Sequence, residues 1–210
     1  MGFADRVSGY NRKRKYTHFL NEIKPLKEDS ILDVGFANVE YSDVDNFLER
    51  EYPYKGKITA LGIDQGSIFK EKYPEVEVVL YDGNIFPFSD DAFDIGWSNA
   101  VIEHVGNREK QIFFVKELLR TCKNVYFTTP NRFFPVELHT RVLFLHWLPK
   151  SLFDKILKLI ALDWAAGDYM YLLTKKEIKS ICESAGAKVI KIKSNRLFGF
   201  TMDYSIIISK

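Results

Sequence analysis

The architecture of this chain follows from residues 30–39, which read Ser-Ile-Leu-Asp-Val-Gly-Phe-Ala-Asn-Val. The apolar residues Ile31, Leu32 and Val34 predict a short buried strand, because an apolar run bounded by turn residues is typical of one. The strand ends in a turn at Gly35, and a helical pattern follows. In α/β sheets such a glycine lets the backbone approach a ligand closely. The carboxylate of Asp33 would repel a pyrophosphate but tolerates a positively charged ligand.

Strand and helix patterns alternate through the first 130 residues, which predicts an α/β fold with a mostly parallel sheet and helices on both faces. The further strands are predicted at 57–64, 76–80, 93–99 and 124–129. The helices are predicted from Ser42, toward Tyr73, over 108–121, from Ser151 and from the Thr174-x-x-Glu177 capping box. Two final strands, 188–193 and 204–209, are joined by a loop and therefore pair antiparallel.

Bulk composition bounds the class of protein. A chain of 210 residues, 46% of them hydrophobic, can bury one core, so we expect a single domain over residues 1–210. A net charge of +2 gives no general attraction to nucleic acid. The two cysteines, Cys122 and Cys182, indicate buried thiols rather than a disulfide framework or a zinc site. The sequence has no signal-peptide pattern and no membrane-spanning run, so we expect a cytoplasmic location.

A second stretch, residues 86–104, reads Phe-Pro-Phe-Ser-Asp-Asp-Ala-Phe-Asp-Ile-Gly-Trp-Ser-Asn-Ala-Val-Ile-Glu-His. Together with residues 33–37, Asp-Val-Gly-Phe-Ala, it resembles class I S-adenosylmethionine (SAM) dependent methyltransferases, and most specifically their small-molecule, type 11-like branch. The resemblance covers residues 29–130. It implies a Rossmann-like methyltransferase fold, which is a doubly wound, mostly parallel seven-stranded sheet with an antiparallel C-terminal hairpin. It also implies an enzyme that transfers a methyl group from SAM to a small-molecule acceptor.

Acidic residues end three successive predicted strands, at Asp33, Asp64 and Asp82. The carboxyl ends of parallel strands share one edge of a sheet, so we expect these carboxylates together there. With SAM as the ligand, Asp64 accepts hydrogen bonds from the ribose, Asp82 accepts one from the adenine amino group, and Asp33 lies near the amino-acid end. The predicted cofactor contacts are Asp33, Gly35, Phe36, Ala37, Asp64, Gln65, Asp82, Gly83, Asn84, Ser98, Asn99 and Ala100.

The first motif departs from the family pattern, because Ala37 and Val39 stand where further glycines usually occur. This departure keeps open a non-catalytic SAM-fold protein, such as a sensor or a partner subunit. A nicotinamide oxidoreductase fits less well, because two of the three glycines in its G-x-G-x-x-G fingerprint are missing. Nucleic acid is not expected as a substrate, because residues 98–101 lack the acid or asparagine, two prolines and an aromatic typical of nucleic-acid amino-methyltransferases.

Two flanking segments have more than one interpretation. Residues 1–28 predict a basic helical arm, whose charges form a solvated face or else hold the cofactor's carboxylate through Arg12, Arg14 or Tyr16. The aromatic-rich insertion 131–173 predicts an acceptor lid with a partly hydrophobic pocket, although plain core packing explains its aromatics equally well. Residues 144–160 are a candidate for peripheral membrane contact.

Methyl transfer from SAM needs mainly proximity and alignment, and a base only when the acceptor arrives protonated. The candidate catalytic residues are His104, which follows Glu103, and His139. A packing or capping role is an equally simple interpretation of His104. The sequence shows no cluster of metal ligands, and no metal is expected.

Overall fold

The computed structural model describes residues 3–42, 44–137, 140 and 142–210. Its helices are α1 (Phe3–Ile23), α2 (Phe47–Glu51), α3 (Ser67–Lys72), α4 (Arg108–Thr121), α5 (Lys150–Leu159) and α6 (Lys175–Ser184). Its strands are β1 (Ile31–Val34), β2 (Ile58–Gly62), β3 (Glu77–Leu80), β4 (Phe93–Asn99), β5 (Cys122–Pro130), β6 (Val189–Leu197) and β7 (Phe200–Ser209). No described helix has both the length and the apolar character that a bilayer crossing requires.

The described strands form one seven-stranded sheet in the order β3-β2-β1-β4-β5-β7-β6. Strand β1 pairs in parallel with both β2 and β4, and β2 pairs in parallel with β3. The chain winds outward from β1 in one direction and then in the other, which is the doubly wound arrangement. The C-terminal strands are antiparallel, so the predicted α/β sheet is confirmed.

The chain divides into two compact units. The first takes in residues 1–99, 117–126 and 209, and the second takes in residues 100–116, 127–208 and 210. Strands β1 to β4 therefore belong to the first unit, whereas α5, α6 and β6 belong to the second.

Helix α1 is held in the first unit by packing against its aromatic core. Phe19 is 0% exposed, and its ring lies edge-on to Trp97 and Tyr126, with centroids 4.8 and 5.4 Å away. Trp97 and Tyr126 stack on each other at 5.2 Å. The Tyr126 hydroxyl also donates a hydrogen bond to the backbone carbonyl of Lys15 at 3.0 Å. These contacts fix the middle of α1, including the turn that carries Arg12.

The turn before α2 differs from the prediction of a helix that begins at Ser42. The Asp45 carboxylate accepts backbone hydrogen bonds from Tyr41 at 2.9 Å and from Ser42 at 3.0 Å, which closes a turn instead of capping a helix. Asn46 then adopts a left-handed backbone conformation, with φ 46°, and α2 begins at Phe47. The predicted start was therefore wrong, and the later start leaves Glu49 buried in the middle of a short helix.

The second unit has an apolar core of its own, in which Phe153, Leu157, Ala165 and Met170 are buried together. Phe153 and Leu157 are one turn apart on α5, so one face of this helix is buried and the opposite face is not. Part of the aromatic insertion is therefore core, which is the plainer of its two interpretations. The thiols of Cys122 in the first unit and of Cys182 in the second unit are both buried, as predicted.

The C-terminal hairpin is tighter than predicted. Strands β6 and β7 are joined by Phe198 and Gly199 alone, at φ 48° and 85°, and positive φ at both central residues is typical of a type I′ turn. The prediction of a longer loop between strands ending at residue 193 and beginning at residue 204 was wrong, because the polar residues there are paired inside the hairpin. Asn195 donates hydrogen bonds to Asp203 at 2.7 Å and to Ser205 at 2.9 Å.

Removing the Phe19 ring tests whether α1 is an integral part of the first unit. We expect Phe19→Ala to lower the free energy of unfolding by about 3–5 kcal/mol, because it leaves a cavity between two buried aromatic rings. Urea denaturation followed by tryptophan fluorescence measures this. Tyr10 on the same helix is 63% exposed, so Tyr10→Ala should change stability by no more than about 0.5 kcal/mol. Equal effects of the two substitutions would contradict the packing described.

Candidate functional site

A cavity of about 110 Å³ opens in the first unit, at the carboxyl ends of β1 and β4. The side chains and backbone around it come from α1, from β1 and its turn, from α2 and from the end of β4. They are Arg12, Asp33, Gly35, Ala37, Asp45, Asn46, Phe47, Glu49, Trp97 and Asn99. The strand order reverses between β1 and β4. Ligands of doubly wound sheets bind at this reversal, so this cavity is the candidate site.

The turn after β1 forms one wall of the cavity. Gly35 has φ 99°, which favours glycine, and its N–H donates to the Leu61 carbonyl at 2.9 Å. The Asn46 side chain clamps the turn from α2: its oxygen accepts from the Ala37 N–H and its amide donates to the Ala37 carbonyl, both at 2.8 Å. Neither Ala37 nor Val39 adopts a positive φ, so this backbone does not require glycine at either position.

Asp33 is a buried acid of the cavity. It lies inside β1, paired in register with Ala60 and Trp97, and its residue is only 5% exposed. Burial and the neighbouring Glu49 carboxylate raise the pKa of Asp33 well above its usual range, whereas Arg12 opposes this shift. The sequence predicted that Asp33 would tolerate a positively charged ligand. The structure places Asp33 in a site that disfavours an unpaired negative charge.

Glu49 is a second buried acid in the same cavity, and it was not predicted. It is 0% exposed, and neither of its carboxyl oxygens has a hydrogen-bond partner among the described residues. Burial raises its pKa as well. The sequence indicated its burial only weakly. Glu49 belonged to a helix predicted to begin at Ser42, and that wrong start did not show which side of the helix would be buried.

Two of the predicted contacts are packed into the protein. The Phe36 ring packs at a tilt against Phe69, with centroids 4.5 Å apart, and covers Gly62 so closely that a Cβ there would lie 2.6 Å from the ring. Ser98 is buried, and its hydroxyl donates to the Val34 carbonyl at 2.9 Å. Their side chains hold β1 and its turn in place, while the backbone of the turn faces the cavity.

The remaining predicted contacts of the first unit are exposed beyond the ends of β2 and β3. The pairing of Gly62 with Leu80 brings Asp64 and Asp82 to equivalent positions, each two residues further along the chain. Asp82 accepts hydrogen bonds from the backbone and side-chain N–H groups of Asn84, both at 3.0 Å. The other predicted contacts here, also exposed, are Gln65 and Gly83.

Two large apolar side chains accompany these acids. Ile63 is 67% exposed and Ile85 is 65% exposed. Ile63 lies beside the backbone of Gly83, because a Cβ on this glycine would be 3.7 Å from the Ile63 side chain. Isolated exposed isoleucines are common, but a pair beside two carboxylates suits a ligand with one flat apolar part and several hydroxyl or amino groups. Ile63 was missed because it reads as part of the apolar run of β2.

The other candidate residues belong to the second unit. The N–H of Ala100 donates to the Thr128 carbonyl at 3.0 Å, and Ala100 has φ 60°. His104 ends a short 3-10 helix, Ile102–His104, and its Nδ1 lies 2.8 Å from the Tyr169 carbonyl oxygen. Glu103 is 0% exposed and its Oε2 accepts from the Thr129 hydroxyl at 2.9 Å. His139 lies outside the described residues.

Comparisons with known proteins agree with this geometry. A protein-family model described as a methyltransferase domain matches residues 32–125. No curated protein matches the sequence. Among solved structures, a SAM-dependent methyltransferase from Methanosarcina mazei has a TM-score of 0.55 at 14% identity, over 89% of this chain and 94% of that one.

Two further solved structures span this whole chain. Magnesium protoporphyrin IX methyltransferase (ChlM) from Synechocystis, with bound SAH, has a TM-score of 0.61 at 12% identity, over 100% of this chain and 88% of that one. A chain in a complex between the Haloferax volcanii Trm112 methyltransferase activator and a methyltransferase has a TM-score of 0.56 at 12% identity, over 100% and 98%. At these identities the likenesses show the fold alone, which is that of Rossmann-like methyltransferases. Residues 32–125 match a methyltransferase domain and the chain has this fold, which is consistent with the class I SAM-dependent methyltransferase family.

The buried carboxyl pair predicts a pH-dependent change in stability. The folded protein binds protons on these groups more tightly than the unfolded chain does, so the pair lowers stability as pH rises from about 4 through its raised pKa values. Glu49→Gln removes one of the two acids. We therefore expect the free energy of unfolding of the variant, minus that of the wild type, to grow from about pH 4 to neutral pH and to reach about 1–3 kcal/mol.

Denaturant titrations at several pH values measure this difference. Glu51→Gln is the matched control, because Glu51 lies on the same helix but is exposed. Its difference from the wild type should stay within about 0.5 kcal/mol over the same pH range. A Glu49→Gln difference that is flat, or that shrinks with rising pH, would show that Glu49 is not held in an unfavourable site.

Proposed function

We propose that this protein transfers a methyl group from SAM to a small, partly hydrophobic acceptor. The observation that carries the proposal is the cavity at the β1–β4 reversal, which is lined by a buried acid, Asp33, and by a cation, Arg12. Solved relatives of the same fold, crystallised with SAH or SAM, support the choice of cofactor.

The cavity suits the amino-acid end of SAM. Its volume of about 110 Å³ is well below the roughly 300 Å³ or more of a pocket that encloses a whole drug-sized ligand, so it fits only a part of the cofactor. That end carries an ammonium and a carboxylate. Asp33 would bind the ammonium and Arg12 the carboxylate, since a guanidinium forms strong hydrogen bonds to carboxylates. Gly35, Ala37 and Asn99 complete the walls.

The exposed rim of β2 and β3 suits the adenosine. Asp64 would accept hydrogen bonds from the ribose hydroxyls and Asp82 one from the adenine amino group. Gln65, the backbone of Gly83 and Asn84, and the exposed side chains of Ile63 and Ile85 would enclose the base. Because Asn84 already holds the Asp82 carboxylate, that group is oriented before the ligand arrives.

Bound SAM supplies an activated methyl group on its sulfonium, and the protein's part is to align the acceptor and to exclude water. The exposed aromatics of the insertion 131–173, Phe133, Phe144, Trp147, Trp164 and Tyr169, support a partly hydrophobic acceptor and a lid role for this segment. Peripheral membrane contact through residues 144–160 stays a prediction, which the exposed Leu152 and Leu159 of α5 favour.

His104 is the proposed general base, for acceptors that arrive protonated. Its Nδ1 faces a backbone carbonyl, which can only accept, so Nδ1 carries the proton of the neutral ring. In this tautomer the lone pair is on Nε2, which is the ring nitrogen that would accept a proton. His139 stays a second candidate. In the same unit, the buried carboxylate of Glu103 holds Thr129.

Calorimetric titration with SAM tests the proposal. We expect binding by the wild type, and affinities about 10- to 100-fold weaker for Asp64→Asn and Asp82→Asn, because each loses a charged hydrogen-bond acceptor. Glu71→Gln, on the exposed surface of α3, should bind SAM like the wild type. Absence of wild-type binding to both SAM and SAH would contradict the proposal, as would full affinity in both aspartate variants.

A further inference from the structure

The first motif accounts for one of the two buried acids in the cavity, Asp33, but not for the other. Glu49 reaches the cavity from α2, outside both stretches that carry the family resemblance. It is fully buried, and neither carboxyl oxygen has a hydrogen-bond partner among the described residues. An unpartnered buried carboxylate is costly, so proteins retain one mainly where a ligand completes it.

The charges around Glu49 do not neutralise the pair. Arg12 is the one cation among the described residues that line the cavity, and it shares this lining with two buried carboxyl groups, Asp33 and Glu49. The third acid of the lining, Asp45, is already bonded to the backbone N–H groups of the turn before α2. If Asp33 and Glu49 were both ionised, one of their two negative charges would therefore lack a compensating cation in the lining.

Two further charges act on Glu49 from outside the lining. Glu40 acts against its ionisation and Lys55 in favour of it. Glu40 is itself paired with Arg50 at 2.9 Å and with Lys72, so its charge is largely compensated. A single proton held between Asp33 and Glu49 would give the Glu49 oxygens the donor they lack and would remove one of the two buried negative charges.

We propose that Glu49 is a second ligand of the α-ammonium group of SAM, and that Asp33 and Glu49 release the proton they share to solvent when this group binds. The inference rests on the proposed function and adds a residue and a proton to it. The ammonium keeps its three protons and takes over the role of the shared one, donating to both carboxylates. No other bond is made or broken.

This arrangement has two consequences for binding. Affinity for SAM rises with pH as long as the pair still holds its proton and the ligand amine is still charged. The rise approaches about tenfold per pH unit where one full proton is released. An adenosyl ligand without the α-amino group, methylthioadenosine, gains nothing from the pair and should bind with no such pH dependence.

The experiment is calorimetry on the full chain in two buffers with different ionisation enthalpies, with SAM and with methylthioadenosine as ligands. The wild type should release up to about one proton on binding SAM and none on binding methylthioadenosine. Glu49→Gln should bind SAM about 10- to 100-fold more weakly, should lose the proton release, and should keep its affinity for methylthioadenosine. Glu51→Gln should behave as the wild type, and thermal melting should show all variants folded.

The outcomes separate the two proposals. SAM binding by the wild type without proton release overturns this inference and leaves the proposed function in place, and so does unchanged SAM binding in Glu49→Gln. A Glu49→Gln variant that loses both ligands to the same extent also overturns it, because Glu49 would then act on the shape of the site. Failure of the wild type to bind either ligand overturns the proposed function itself.

Discussion

Two carboxyl groups, Asp33 and Glu49, are buried in the same small cavity, and the rest of the site depends on this placement. Burial opposes the charge that each group would carry in water, and the neighbouring Glu49 carboxylate opposes the ionisation of Asp33 further. A folded protein tolerates such a pair when a proton or a ligand cation compensates it. SAM, the cofactor proposed for this site, carries the required positive charge at its amino-acid end.

The surrounding fold keeps this pair in place. The strand reversal beside β1 creates the cavity, and the turn at Gly35 brings backbone rather than side chains to its edge. Helix α1 is fixed by Phe19 and by the bond from Tyr126 to the Lys15 carbonyl, so that Arg12 reaches the same cavity. Asn46 ties the turn to the start of α2 and thereby sets the position of Glu49, three residues later.

Much of the fold could be predicted from the sequence, because local patterns and tertiary demands agree there. Strand β4 and helix α4 have the predicted bounds, and the Thr174–Glu177 capping box starts α6 as expected. The failures occur where polar residues have tertiary partners. Asp45 resembles a capping residue but closes a turn, and Asn195 resembles a loop residue but is buried in the hairpin. For the same reason the site was only partly predictable: the motif indicated Asp33, Gly35, Ala37 and Asn99, whereas the burial of Glu49 depends on a helix start that no local pattern marks.

The most direct test of this account is a crystal structure of the protein with S-adenosylhomocysteine, which has the same amino-acid end as SAM. We expect the α-amino nitrogen within about 3 Å of carboxyl oxygens of both Asp33 and Glu49, with the ligand carboxylate beside Arg12. An amino-acid end bound outside this cavity, or a Glu49 carboxyl group that makes no contact with the ligand, would contradict it.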